Sequence, residues 1–256
     1  MSKSIPIQWP AEAIWEAVSP ALPSFSVEIL PQIDSTNSEL MRRARAGQTE
    51  PILLVAESQT AGRGRLGRDW LSQGASTPAL TFSLGLPLHM TDWSGLSLAV
   101  GVSVARSLHP ALQLKWPNDV WFEGRKLAGI LIETVNIGST RYAVIGVGLN
   151  IGPPEAAGLS TAPAWLQELL PDIDAPQALL RIAAPLVQAV QGFEAQGLAP
   201  FLKPFASRDA LAGRAVTLSD GTHGQAQGVD GSGALLVHTD AGLKKINSAE
   251  VSVRPA

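Results

Sequence analysis

The chain contains no cysteine, one tyrosine and only four histidines in 256 residues. Without cysteine there can be no disulfide, thiolate zinc site, iron–sulfur ligand or thiol nucleophile. His89, His109, His223 and His238 are scattered along the chain, which argues against a histidine metal cage, and no residue is assigned as a metal ligand. Long apolar runs are missing too: nothing approaches the ~18 consecutive apolar residues of a membrane span. The opening MSKSIPIQWP lacks the basic, then apolar, then small-residue order of a signal peptide, so a cytoplasmic protein with no membrane partner is expected. Charge of one sign is also scarce. The 19 basic and 22 acidic residues leave a net charge of −3, so a nucleic-acid role would need a local basic patch. Before Asp34 the only basic residue is Lys3, and that segment is too short for a winged-helix head, so no DNA partner is expected.

What is present describes a globular chain, with 45% hydrophobic and 16% charged residues and a length suited to one large domain or one plus a small companion. Ile14, Trp15 and Val18 share a face of a short helix ending at Ser19-Pro20. Thr36 and Glu39 have capping-box spacing at the start of a helix reaching about Ala46, with Gly47 as its stop. Ile52–Val55 and Ala79–Leu86 read as strands. Trp93–Leu108 is apolar nearly all round, as in a helix covered on several sides. Leu112–Trp116, Leu127–Thr134 and Tyr142–Asn150 are further strands. The last two form a hairpin through Asn136 and Gly138, hence a mixed sheet. Gly152–Pro163 is a loop, and Gln177–Ala195 an amphipathic helix kinked at Pro185. After Arg208 come the short runs 216–218, 225–229, 234–237, 243–246 and 251–253, separated by glycine-rich turns, as in a small β-barrel. The expected boundary lies near residue 207: an α/β domain over 1–206 and a small barrel over 207–256.

Two segments stand out. Gly62-Arg63-Gly64-Arg65-Leu66-Gly67 fits G-x-G-x-x-G after a strand, but no helical period follows and the acidic residue about 20 positions on is absent, so a dinucleotide turn is rejected. A Walker loop fails for want of Lys-Ser/Thr after the last glycine. The remaining readings are a plain solvated turn or a mobile, glycine-bearing loop that closes Arg63, Arg65 and Arg68 around an anion. The second segment is Lys115-Trp116-Pro117-Asn118-Asp119 at a strand end, followed by Lys126, which enters a buried strand where desolvation magnifies its field. Alone, Asn118-Asp119 would read as an Asx turn.

Taken together, Ser35-Thr36-Asn37, QTAGRGRLGR (59–68), KWPND (115–119), RKLAGIL (125–131) and GVGLN (146–150) resemble, in order and spacing, the motifs of biotin protein ligases. The resemblance covers about residues 30–150. It implies an α+β fold, a class II synthetase-like mixed sheet with helices followed by a small C-terminal SH3-like β-barrel. It implies activation of biotin with ATP to biotinyl-5′-AMP, and transfer to one lysine of a biotin carboxyl carrier protein, with Mg²⁺ accompanying ATP. Carried over residue by residue, Lys126 and Arg65 are catalytic. Ser35, Thr36, Asn37, Gln59, Arg63, Gly64, Arg65, Lys126 and Gly129 meet biotin; Arg63, Arg65, Arg68, Trp70, Lys115, Asn118, Asp119 and Asn150 meet ATP. Thr36 is thereby asked to serve both the helix cap and the ligand. Asp119 is the one candidate general base. Leu66 stands where many members carry a polar residue, and residues 73–79 hold about two extra positions. A homodimer paired at sheet edges is compatible with this layout. The rival readings are a lipoate or octanoate protein ligase, an inactive biotin-binding member of the family, and a nucleic-acid binder gripping phosphates with the arginine loop.

Overall fold

The computed structural model describes residues 7–70, 78–154, 162–247 and 253–255. Its main sheet is built from β1 (Ser26–Leu30), β2 (Ile52–Ala56), β3 (Ala79–Leu88), β4 (Gln113–Lys115), β5 (Asp119–Phe122), β6 (Arg125–Ile137) and β7 (Thr140–Asn150). The seven strands lie in the order β1-β2-β3-β7-β6-β5-β4. Only β1 and β2 run parallel, with α2 (Thr36–Arg45) as their crossover, and the remaining neighbours are antiparallel. The expected hairpin is β6–β7, which turns tightly at Gly138, whose φ is +59°; only glycine adopts that region freely. The extra residues at positions 73–79 fall largely outside the described residues, as does most of the loop expected over 152–163.

Helices cover both faces. On one lie α3 (Leu96–Leu108) and α4 (Ala175–Gln196), packed on each other and on the sheet over the main hydrophobic core, with α1 (Ala11–Val18) and α5 (Ala199–Ala206) at the side. On the other lies α2, above a small cluster of Leu40, Met41, Ala44, Leu54, Tyr142 and Val144. Ion pairs hold α2 in place: Arg43 meets Glu28 of β1 and Glu39, and its hydrogen bond keeps the Glu28 carboxyl below the usual carboxylate range. The cap of α2 differs from the expectation. Ser35, in extended backbone, accepts from the Ser38 amide, so Thr36 is already inside the helix and its hydroxyl is released from capping.

Three elements were not expected. β1 is a five-residue edge strand carrying Glu28, too short and polar for its alternation to register, and it exists by pairing with β2. β5 starts at Asp119, so Asn118-Asp119 is not a free Asx turn; Lys115 and Asp119 face each other across a tight β4–β5 connection. In α5, Pro200 and Pro204 argue against a helix, but Pro200 lies in the first turn, where a missing N–H is harmless. α3 starts at Leu96 rather than Trp93, because Gly95 takes a left-handed conformation before it.

A second, antiparallel sheet follows, of β8 (Ala215–Leu218), β9 (His223–Val229), β10 (Leu235–Thr239), β11 (Gly242–Ile246) and β12 (Val253–Pro255), in the order β11-β10-β9-β8-β12. This is the expected small β unit, but among the described residues β11 and β12 do not pair, so the sheet is open rather than a closed barrel. β12 is only three residues long, and β11 exposes Lys244 and Lys245, charges that discourage edge pairing. The boundary expected near residue 207 falls just after α5, and one hydrophobic cluster continues across it, from Phe205 and Leu211 to Leu218 and Leu235. Backbone bonds from Leu114 to residues 208 and 210 fasten the connection to β4. Among the described residues no helix is long and apolar enough to cross a membrane.

Trp116, 1% exposed, also ties the main sheet to the second β unit: its indole N–H donates to the Gly233 carbonyl at 2.9 Å. Trp116→Phe leaves that carbonyl without its donor and opens a small cavity. Urea unfolding should show a loss of about 2–4 kcal/mol; an unchanged midpoint would mean that the sheets are not coupled there.

Candidate active site

The site begins at the N-terminus of α2. The Thr36 amide donates to Gln59 Oε1 at 2.8 Å and its hydroxyl reaches the same oxygen at 3.2 Å. Ser83 Oγ, from β3, lies 2.7 Å from Thr36 Oγ1 and donates to Asn37 Oδ1 at 2.6 Å. The Asn37 amide in turn donates to the Leu131 carbonyl at 3.2 Å and to Glu133 Oε2 at 3.0 Å. Ser35, Thr36, Asn37, Gln59, Thr81 and Ser83 are all buried, and such a polar group is stable inside only because its members satisfy one another. Two glycines of β7 make room for it. A Cβ at Gly146 would fall 2.1 Å from Asn37 Oδ1, and one at Gly148 would fall 2.2 Å from the Trp70 ring.

The glycine–arginine loop is a hairpin-like excursion. Gly62 O accepts from the Trp70 amide at 2.9 Å, and the Gly64 amide donates to Arg68 O at 2.6 Å. A side chain at Gly62 would strike Trp70 O at 2.3 Å, so this crossing admits only glycine. Leu66 sits at the tip with a φ of +56° and is 60% exposed, so the departure from a polar residue costs the interior nothing. Arg63 forms an ion pair with Glu133 and donates to Ser38 Oγ at 3.2 Å. Arg65 points inward, donates to Asn118 Oδ1 at 3.3 Å, and is half-buried, so desolvation pulls its pKa below the usual arginine value. Arg68 lines an adjoining cavity together with Arg63, Arg65, Leu131 and Glu133.

Lys126, at the start of β6, pairs with Asp119 at 2.8 Å and lies 5.7 Å from the centre of the Trp70 ring. Asn118 donates to the Ile130 carbonyl at 2.7 Å, which locks the KWPND turn onto β6. One cavity thus collects Ser35, Thr36, Asn37, Gln59, Arg63, Gly64, Arg65, Trp70, Asn118, Lys126 and Gly129. Four expected residues are outside its lining. Arg68 lines the adjoining cavity instead. Lys115 lies 5.1 Å over the Trp121 ring at the sheet edge. Asp119 stands behind Lys126, and Asn150 donates to the Ala164 carbonyl at 2.9 Å as a structural tie.

Sequence reading missed Thr81, Ser83 and Glu133, and gave Gly146 and Gly148, although inside the GVGLN motif, no role of their own. A signal existed: Thr81, Ser83 and Gly85 alternate with apolar residues in an otherwise hydrophobic strand, and Glu133 shares a strand face with Gly129 and Leu131. The cavity has an uncharged, buried, hydrogen-bonding end and a mouth carrying Arg63, Arg65 and Lys126. It can seat a neutral polar ring at depth and draw two anionic groups together above it.

Comparison with known proteins agrees with this geometry. Residues 29–150 match the model of the biotin/lipoate A/B protein ligase family, and 212–254 that of the biotin protein ligase C-terminal domain. The chain is 35% identical over 241 residues to the bifunctional ligase/repressor BirA of Escherichia coli, covering 90% of this chain and 75% of that protein. It is 32% identical over 245 residues to the biotin–[acetyl-CoA-carboxylase] ligase of Paracoccus denitrificans, covering 87% and 98%. The biotin protein ligase of Aquifex aeolicus, solved with biotin and ATP, superposes with a TM-score of 0.76 at 30% identity, covering 90% of this chain and 99% of that one. A chain that matches such relatives in sequence and fold over nearly its whole length belongs to the biotin/lipoate A/B protein ligase family and carries the biotin protein ligase C-terminal domain.

Proposed function

We propose that this chain is an ATP-dependent biotin protein ligase: it joins the biotin carboxylate to the α-phosphate of ATP, releasing pyrophosphate. It then hands the biotinyl group to a lysine amine of a biotin carboxyl carrier protein, releasing AMP. The observation that carries this reading is the pairing in one cavity of a buried neutral polar end with three cations at its mouth. Biotin has that division, an uncharged ureido ring at one end and a carboxylate at the other. Ser35, Thr36, Asn37 and Gln59 supply aimed donors and acceptors for the ring, and Gly64 and Gly129 leave its approach open.

The first step brings a carboxylate against a phosphate, two anions that repel until cations screen them. In this reading Lys126 bridges carboxylate and α-phosphate oxygens, supported by its place in the cavity lining beside Trp70. Arg65, half-desolvated and braced by Asn118, stabilises charge on the phosphate and holds the mixed anhydride until the acceptor arrives. Arg63 closes the mouth, and Trp70, packed close against Gly148, offers a face for adenine. In the second step the acceptor amine attacks the biotinyl carbonyl and AMP leaves, with no covalent enzyme intermediate; Asp119, beside Lys126, is the nearest carboxylate to accept the amine proton. The donor set does not form a metal cage, since no three His, Asp or Glu side chains converge among the described residues. Mg²⁺ would therefore travel on the ATP phosphates, and no step is assigned to it here.

Pyrophosphate exchange into ATP tests the reading: exchange should require biotin and fall by about 100-fold or more in Lys126→Ala. Exchange supported by lipoate or octanoate instead would reassign the substrate. Arg65→Gln should keep part of the exchange but release biotinyl-5′-AMP into solution, detectable by chromatography of the filtrate; an adenylate that stays bound would remove that role. Gly148→Ala pushes Trp70 off the sheet and should lower exchange on the order of tenfold to 100-fold with little change in melting temperature; wild-type rates would show that the Trp70 position is immaterial.

A further inference from the structure

Lys126 reaches the cavity from a place where regular strand geometry would not deliver it. Side chains alternate faces along a strand, so residues three apart point to opposite sides. Lys126 and Gly129 are three apart, yet both line the cavity, and a Cβ at Gly129 would stand 3.1 Å from Lys126 Nζ. The β5–β6 ladder shows the cause. Val120 faces Ala128 and Trp121 faces Lys126, so Leu127 is an extra residue, a β-bulge. Leu127 and its neighbour Ala128 both lie in the main hydrophobic core, and this repeated face returns Lys126 to the cavity side.

A bulge interrupts pairing on one side of β6. On the other side Lys126 stands beyond the last rung of the β6–β7 ladder, Ala128 opposite Leu149. Residues 164–168 take over there: the Lys126 carbonyl accepts from the Ala164 amide at 2.9 Å, and the Ile151 carbonyl from the Gln167 amide at 3.0 Å. Glu168 fastens this segment to the residue before the lysine. Its two oxygens accept from the Arg125 guanidinium at 3.1 and 2.5 Å, and Oε1 accepts also from the Trp165 amide at 3.0 Å. The Arg125 guanidinium lies 5.9 Å from the centre of the Trp165 ring. Arg125 and Glu168 themselves stand outside the cavity lining.

We propose that Glu168 is a positioning residue for Lys126: by gripping Arg125 and bracing residues 164–168 it holds the bulge that aims the lysine ammonium into the cavity. Asp119, at 2.8 Å, constrains the tip of the lysine side chain; Glu168 constrains the backbone from which that side chain springs. Gln at position 168 is of the same size, but it loses the charge and one of the two acceptors that match the arginine fork. This inference rests on the ligase reading, because the joining of carboxylate to phosphate is what gives Lys126 its task.

The test compares biotin-dependent pyrophosphate exchange in wild type, E168Q, K126A and the K126A/E168Q double variant. E168Q should lower kcat about tenfold while the KM for biotin stays within about threefold of wild type. In the K126A background the same change should alter the residual rate by about twofold or less, because no lysine remains to be aimed. A general loosening of the fold would instead lower both rates alike. Equal loss in the two backgrounds, or a wild-type kcat in E168Q, would overturn the proposal. Should E168Q fail to fold, R125K and K126A/R125K take its place with the same pattern expected, since lysine keeps the charge and loses the fork. A wild-type chain without biotin-dependent exchange removes the ligase reading and this role with it; exchange that is present but indifferent to Glu168 removes the role alone.

Discussion

The site depends on what is missing from the middle of two long strands. Gly129, Gly146 and Gly148 stand in β6 and β7, where glycine lowers strand stability and leaves a gap in the sheet surface. That gap is filled by the Asn37 amide over Gly146 and the Trp70 ring over Gly148, each so close that a single methyl group would collide. The β3–β7 and β6–β7 ladders, paired along ten positions each, hold the backbone firm around these gaps. A shallow trough thus forms on an otherwise continuous sheet, and the polar residues of α2 and the arginine loop can reach down into it.

The cations of the site are each held by a partner. Arg63 rests on Glu133, Lys126 on Asp119, and Arg65 on the neutral Asn118 oxygen. A partly desolvated cation with a partner is tolerable where an isolated one would be costly. Anions bound at the mouth would exchange these contacts for their own. Arg65 is half-buried beside the Asn118 oxygen and its pKa is pulled down by desolvation, so a phosphate at the mouth would offset part of the cost of its burial.

The two sheets act on the same segment from opposite sides. Asn118 is fixed to β6 through Ile130, while Trp116, two residues earlier, is fixed to Gly233 in the β9–β10 turn of the second sheet. The KWPND turn is therefore clamped between them, and the residue that braces Arg65 inherits that rigidity. Asn150 works similarly at the far end of β7: its bond to the Ala164 carbonyl, together with the bond from the Ala164 amide to Lys126 O, closes the sheet end behind the lysine.

Much of this was legible in the residues. The long hairpin, the buried helix α3, the amphipathic helix α4 and the change to short glycine-separated strands are written in local periodicity, which survives in one dimension. The motif residues Ser35, Thr36, Gln59, Arg63, Arg65 and Lys126 could be named because their types and spacings carry chemistry. β1, β5 and α5 could not, since each is short and stands only by pairing or packing against residues far along the chain. Nor could the sequence tell Asn118, which faces Arg65, from Lys115 three residues before it, which turns to Trp121 at the sheet edge. By itself the sequence determined which chemical groups the protein owns and the family it resembles. Tertiary structure alone decided that Ser83, Glu133 and the β7 glycines belong to the site, because a hydrogen bond between positions 37 and 133 or a collision between 148 and 70 exists only once the strands lie side by side.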